Sequence, residues 1–144
     1  MQEHSSPILT VATCNDYRKL PPELSRAGRI DERFFVDLPA QTEREEIAKV
    51  HLERLKCDAS FSSVIAAATD GYTGAEIEQL VKSAARRTQR KVTAESLKDA
   101  AGTIKPIARI DSEGTEALRK WGRECMTLAN SPDQAQATGR KVKR

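Results

Sequence analysis

The period of hydrophobic positions changes partway along this chain. Ile8, Leu9, Val11 and Ala12 stand in a short apolar run broken only by the β-branched Thr10 and closed by Thr13. A run of this kind over residues 8–13 predicts a strand buried on both faces, as in a parallel sheet, with Asn15 just past its carboxyl end. A polar stretch follows in which Pro21 and Pro22 open one helical turn, running to Arg26 and stopped by Gly28. Residues 34–38 (Phe-Phe-Val-Asp-Leu) predict a second strand, which Pro39 ends.

Beyond Pro39 the spacing becomes helical. Thr42 with Glu45 predicts a capping box for a helix whose apolar face holds Ile47, Val50, His51 and Leu55. A second helix is predicted over residues 63–69, and Asp70-Gly71-Tyr72 turns into Thr73, which with Glu76 makes a second capping box. Ile77, Leu80, Val81 and Ala84 supply the buried stripe of that third helix. Thr93 caps a fourth helix to Ala101, Pro106 interrupts, and Asp111 or Ser112 starts a last one. Its predicted face is Leu118, Trp121, Gly122, Cys125 and Leu128. From residue 130 the chain turns polar and ends in a basic cluster, Arg140-Lys141-Val142-Lys143-Arg144, so a disordered tail is expected over 130–144.

Composition narrows the reading. The 144 residues, 38% hydrophobic and 4% aromatic, suffice for one small domain with a modest core. Lysine and arginine number 24 against 21 acidic residues, a net charge of +3, so composition alone does not support nucleic-acid binding. Cys14, Cys57 and Cys125 are widely spaced, which suggests neither a disulfide framework nor a zinc site and fits a reducing cytoplasm. No run approaches the roughly eighteen apolar residues of a membrane span, and the start lacks the layout of a signal peptide. A soluble cytoplasmic protein is expected, with no membrane partner.

Three segments then carry specific chemistry: Val11-Ala12-Thr13-Cys14-Asn15-Asp16, the stretch from Leu20-Pro21-Pro22-Glu23-Leu24 through Arg26-Ala27-Gly28-Arg29, and Phe35-Val36-Asp37-Leu38-Pro39. Together they resemble, in order and spacing, the second region of homology of AAA-type (AAA+) ATPases. Ile47-Ala48-Lys49-Val50-His51 and Gly71-Tyr72-Thr73-Gly74-Ala75-Glu76 look like the first lid helix and the glycine-alanine turn of the same family. The resemblance covers about residues 7–90, and its wording is most similar to a cyanobacterial and plastid branch in which the lid continues into a tryptophan-bearing helix, here with Trp121.

The resemblance implies roles for seven residues. Asn15 stands at the sensor-1 position, where a polar side chain at a strand's end bonds the γ-phosphate or orients attacking water; without the resemblance it reads as an Asx turn. Arg26 and Arg29 match the arginine fingers, whose guanidinium groups stay charged when desolvated and fork onto phosphate oxygens in a neighbouring subunit. As an isolated pair they would read as solvated surface arginines. Ile47 and His51 share one helical face and match positions that contact ribose and adenine. Gly74 and Ala75 leave the start of a capped helix open to a ligand, with amides that favour an anion or a purine edge. Asp31-Glu32 follows no long apolar strand and is assigned no catalytic role. Lys82, Arg86, Arg87, Arg90 and Lys91 give a basic helix face, joined by the basic tail, that offers contact to nucleic acid or acidic lipid but reads first as a solvated face.

No GxxxxGK[ST] motif occurs in the sequence, so the cradle for the β- and γ-phosphates is absent from it. In the implied fold the phosphate-loop strand lies between the two predicted here, which leaves both strand edges unpaired and residues 1–40 poorly held. The expected fold is mainly α: a two-stranded remnant of an α/β P-loop ATPase domain (1–40), a helical AAA lid with a carboxyl-terminal helix (41–129), and the basic tail (130–144). The expected function is part of an AAA ATPase module, inactive alone, that uses ATP and Mg2+ in an oligomeric ring, taken as a hexamer, to remodel a macromolecule taken to be protein. Its partners would be other AAA subunits or an amino-terminal half bearing the phosphate loop. The alternative is a standalone helical protein-binding module without nucleotide chemistry.

Overall fold

The computed structural model describes residues 8–26 and 28–130, so most of the expected basic tail lies outside the described residues. The chain divides into two compact units, one up to Phe34 and one from Phe35 onward.

In the first unit, residues 8–14 form no regular secondary structure, and the predicted strand at 8–13 is not made. Leu9 and Val11 are 89% and 79% exposed. A strand needs a ladder partner for its amides and carbonyls, and this run has none among the described residues, so its apolar side chains stay in water. Regularity begins at Asp16, whose carboxylate accepts from the Arg18 N–H (3.1 Å) and caps a 3₁₀ turn over Tyr17–Lys19. Pro22 then opens a single helical turn, α1 (Pro22–Ser25). The Arg29 N–H returns to the Arg26 carbonyl at 3.3 Å through Gly28, whose φ of +80° explains glycine there. The Arg33 guanidinium lies 5.5 Å from the Tyr17 ring centre.

The second unit is helical, apart from a short pairing of β1 (Phe34–Phe35) with β2 (Thr127–Leu128), in which the Ala129 N–H donates to the Phe35 carbonyl at 2.9 Å. The predicted strand over 34–38 thus stops early. Asp37 gives its N–H to the Asn130 side chain (2.7 Å), and its own carboxylate accepts the Leu38 N–H (2.7 Å), which takes both amides out of any ladder.

Helix α2 (Gln41–Arg54) starts from Ala40. The Thr42–Glu45 capping box does not form; instead the Glu43 carboxylate accepts the Ala40 N–H at 2.8 Å, half of a capping box, since alanine has no side-chain acceptor. Its buried stripe is correspondingly Arg44, Ala48 and Leu52, with Ile47 and Leu55 packed at its margin and Val50 44% exposed. Helix α3 (Ser62–Ala68) buries Ile65 and Ala66. Helix α4 (Gly74–Arg87) has the predicted box: Thr73 Oγ1 accepts the Glu76 N–H and the Glu76 carboxylate accepts the Thr73 N–H. All four residues of its expected stripe are fully buried. Thr93 caps α5 (Ala94–Thr103) in the same way, through Ser96.

These helices share one core. α2 packs on α3 and α4, and α5 packs on α3 and α4, around Leu52, Ile65, Ile77, Leu80, Val81 and Leu97. The Tyr72 hydroxyl, at the buried end of this core, lies 2.7 Å from the Ala101 carbonyl and 2.6 Å from that of Ile104. Its single proton serves one at a time, at the end of α5 where helix carbonyls lack intrahelical partners. Pro106 separates α5 from a turn, α6 (Ile107–Ile110), and α7 (Ser112–Cys125) follows with Asp111 capping Gly114. Of the face predicted for this helix, Gly122 is buried against the Phe35 ring, Leu118 and Trp121 are half-buried and Cys125 is exposed. Leu128 lies beyond the helix, in β2.

Candidate functional site

The seam between α2 and the amino terminus of α4 gathers four of the sequence-predicted residues. A Cβ placed on Gly74 would stand 3.8 Å from Ile47 Cδ1, an ordinary contact, so the bare glycine is not required by packing within the chain and leaves room beside Ile47. One turn further along α2, His51 Nδ1 is 3.8 Å from the Glu78 carboxylate, which in turn accepts from Lys82 Nζ at 2.7 Å. Ala75 is exposed and lines the same open face of α4 as Glu78.

The chemistry of the seam follows from these neighbours. Burial pushes the His51 pKa below the usual histidine value; Glu78 pulls the other way, while Arg54 and Lys82 push in the same direction as burial. A neutral imidazole has one N–H donor and one bare nitrogen acceptor, a pairing suited to a heteroaromatic edge. The α4 cap commits the Glu76 N–H to Thr73 Oγ1 and the Ile77 N–H to the Thr73 carbonyl. The first-turn amides of Gly74 and Ala75 therefore remain for a ligand at the positive end of the helix dipole. Glu76 also accepts the Ile107 N–H at 2.7 Å, which ties α6 to this helix start.

The other three predicted residues belong to the unit ending at Phe34. Asn15, Arg26 and Arg29 are all exposed, with Arg26 and Arg29 joined by the backbone bond of their turn. No group of three or more His, Cys, Asp or Glu side chains is placed to hold a metal among the described residues. No described helix is long and apolar enough to cross a membrane.

Two buried charges were not singled out from sequence. The Asp37 side chain is 2% exposed and receives Arg119 Nε at 2.6 Å and Arg123 Nε at 2.9 Å. Burial alone would raise its pKa, but the bonds from Arg119, the Leu38 N–H and Arg123 prevail and hold it below the usual carboxylate value. Arg44, 7% exposed, donates to the Pro39 carbonyl (3.0 Å) and the Ala66 carbonyl (3.2 Å), fastening the start of α2 to α3. A charged residue on a predicted core stripe is the one local sign that could have found Arg44; Asp37 had none, since its partners lie 82 and 86 positions away.

Comparison with known proteins gives this arrangement a family. The model of the AAA+ lid domain matches residues 62–100, from α3 into α5. The uncharacterized AAA domain-containing protein ycf46 of Pyropia yezoensis is 36% identical over 130 residues, covering 84% of this chain and 26% of that protein. The ATP-dependent zinc metalloprotease FtsH 2 of Bdellovibrio bacteriovorus is 38% identical over 104 residues, 71% of this chain and 17% of that protein. Among solved structures, the AAA domain of FIGL-1 in complex with ADP superposes with a TM-score of 0.57 at 24% identity, covering 68% of this chain and 39% of that one, a likeness of fold. The chain belongs to the AAA+ ATPase family and forms part of an AAA+ module, with the lid-domain match over residues 62–100. It spans only 26% and 17% of the lengths of these two relatives.

Proposed function

We propose that the α2–α4 seam closes over the adenine and ribose of ATP, whose phosphates are gripped by a phosphate loop that this sequence does not contain. The observation that carries the reading is the apposition of Gly74 and Ile47, which leaves an unfilled approach to two first-turn amides of α4 beside the half-buried His51. The bound ADP in the FIGL-1 domain of like fold supports it. Mg2+ would accompany the phosphates, outside the residues described above.

In the assembled module Asn15 would sense the γ-phosphate. Arg26 and Arg29 would reach the nucleotide of a neighbouring subunit, for which exposed guanidinium groups in a turn are suited. A finger of this kind contributes about a thousandfold or more in turnover. Nucleotide-driven movement of the lid would then remodel a protein substrate, as the similarity to ATP-dependent metalloproteases suggests, and we assign this action to a homo-oligomeric ring, taken to be hexameric. We assign its action to the cytoplasm, where its three free cysteines would stay reduced.

The test mixes the chain with an AAA polypeptide that carries a phosphate loop and measures ATP hydrolysis. Turnover is expected with the native chain and not with Arg29→Ala. An ATP titration should also raise the melting temperature of the complex and move the signal of a probe placed near His51. Absence of both responses would overturn the proposal and leave a helical binding module.

A further inference from the structure

Among the described residues, three non-glycine residues have positive φ: Lys56 (57°), Gln89 (51°) and Arg90 (68°). They lie where α2 and α4 end. The Cys57 thiol joins the two ends, 3.8 Å from the Leu55 carbonyl and 3.7 Å from that of Arg90. The Arg90 N–H reaches back to the Ala85 carbonyl at 2.7 Å, a helix ending for which glycine is the unstrained residue. A long side chain is held at each of these positions against the preference of the backbone.

Around this ending is an open hollow of about 480 Å³, lined by Leu55, Lys82, Ala85, Arg86, Gln89 and Arg90. Lys82 and Arg86 also line a second hollow of about 450 Å³ along the outer face of α4. Lys82 is paired with Glu78, while Arg86, Arg87, Arg90 and Lys91 form no ion pair among the described residues. The hollow thus has an apolar floor, Leu55 and Ala85, and a rim of uncompensated guanidinium groups.

We propose that this hollow is a docking surface for an acidic, amphipathic segment of a partner protein. An apolar side chain would rest on Leu55 and Ala85 while carboxylates engage Arg86 and Arg90, whose planar forks donate to two carboxylate oxygens each. A protein segment fits better than nucleic acid. No aromatic ring lines the hollow for bases to stack on, whereas Leu55 and Ala85 offer a seat for an apolar side chain, which a phosphate chain lacks.

The probe is a synthetic helical peptide of about four turns with glutamates and leucines at i, i+4 spacing, titrated into the isotope-labelled full chain. Amide signals of Leu55 and of residues 82–91 should shift. Arg86→Glu with Arg90→Glu should weaken binding roughly tenfold or more, whereas Lys98→Glu on exposed α5 surface should change it little. Arg90→Gly separates docking from folding: glycine suits the backbone, so the melting temperature should hold or rise while peptide affinity falls. The proposal is overturned if the peptide fails to bind, if a scrambled peptide of equal charge binds as well, or if an oligonucleotide of equal charge binds more tightly. Indifference to the arginine reversals would overturn it too.

Discussion

Replacing Asp37 with asparagine should loosen α7 from the rest of its unit. The wild-type carboxylate is 2% exposed and holds two guanidinium groups, each on a side chain 27% exposed. Breaking a fully buried ion pair costs roughly 3–5 kcal/mol. Here both arginines can turn into water, and the asparagine carbonyl still accepts one N–H, so about 2–3 kcal/mol is expected. The sign of the pH dependence follows from the lowered pKa of Asp37. Its contribution is complete above the unfolded carboxylate value of about 4 and is lost as pH falls from there through the folded value. Chemical denaturation from pH 7 down to pH 2, with amide exchange read along α7, measures both effects. Asp37→Asn should be less stable at neutral pH and show a flatter acid limb, with faster exchange in α7 than in α4. Stability within about 0.5 kcal/mol of wild type, or an unchanged acid limb, would refute the reasoning.

Other perturbations test other contacts. Gly122→Ala puts a Cβ inside the van der Waals envelope of the Phe35 ring, at atoms close to its backbone, and should cost about 1–3 kcal/mol in a urea melt. Tyr72→Phe removes the hydroxyl that serves the Ala101 and Ile104 carbonyls and should cost about 1–2 kcal/mol, whereas no loss would mean that water replaces it freely. The His51 ring, followed by NMR, should titrate below the ordinary value of about 6.5, because burial disfavours its charged form. Its depressed folded pKa means that stability falls as pH drops from the unfolded value through the folded one; a midpoint above 6.5 would contradict the burial argument.

What could be read from sequence depended on how far each interaction reaches along the chain. Thr73 and Thr93 were legible as caps because each finds its partner three residues on, and the stripe of α4 because one helix face carries it. Ala40 was not legible as a cap, since it offers no side-chain acceptor and the bond runs from its backbone to Glu43. The run at 8–13 has the composition of a strand, but pairing belongs to the neighbours a strand finds, and none is described. Periodicity put Ile47 and His51 on one face of α2. Bringing Gly74 against Ile47 needed tertiary packing, which only family resemblance anticipated. Asp37, Arg119 and Arg123 stayed invisible because acidic and basic residues are abundant and nothing local pairs these three.

The Asp37 clasp also bears on the order in which the chain acquires its shape as it is made. Residues 41–103, whose helices pack on one another without either arginine, are synthesised before Arg119 and Arg123 have been added. Until then the carboxylate stays hydrated. Only once Arg123, 86 positions after Asp37, has emerged can the two arginines draw it out of water.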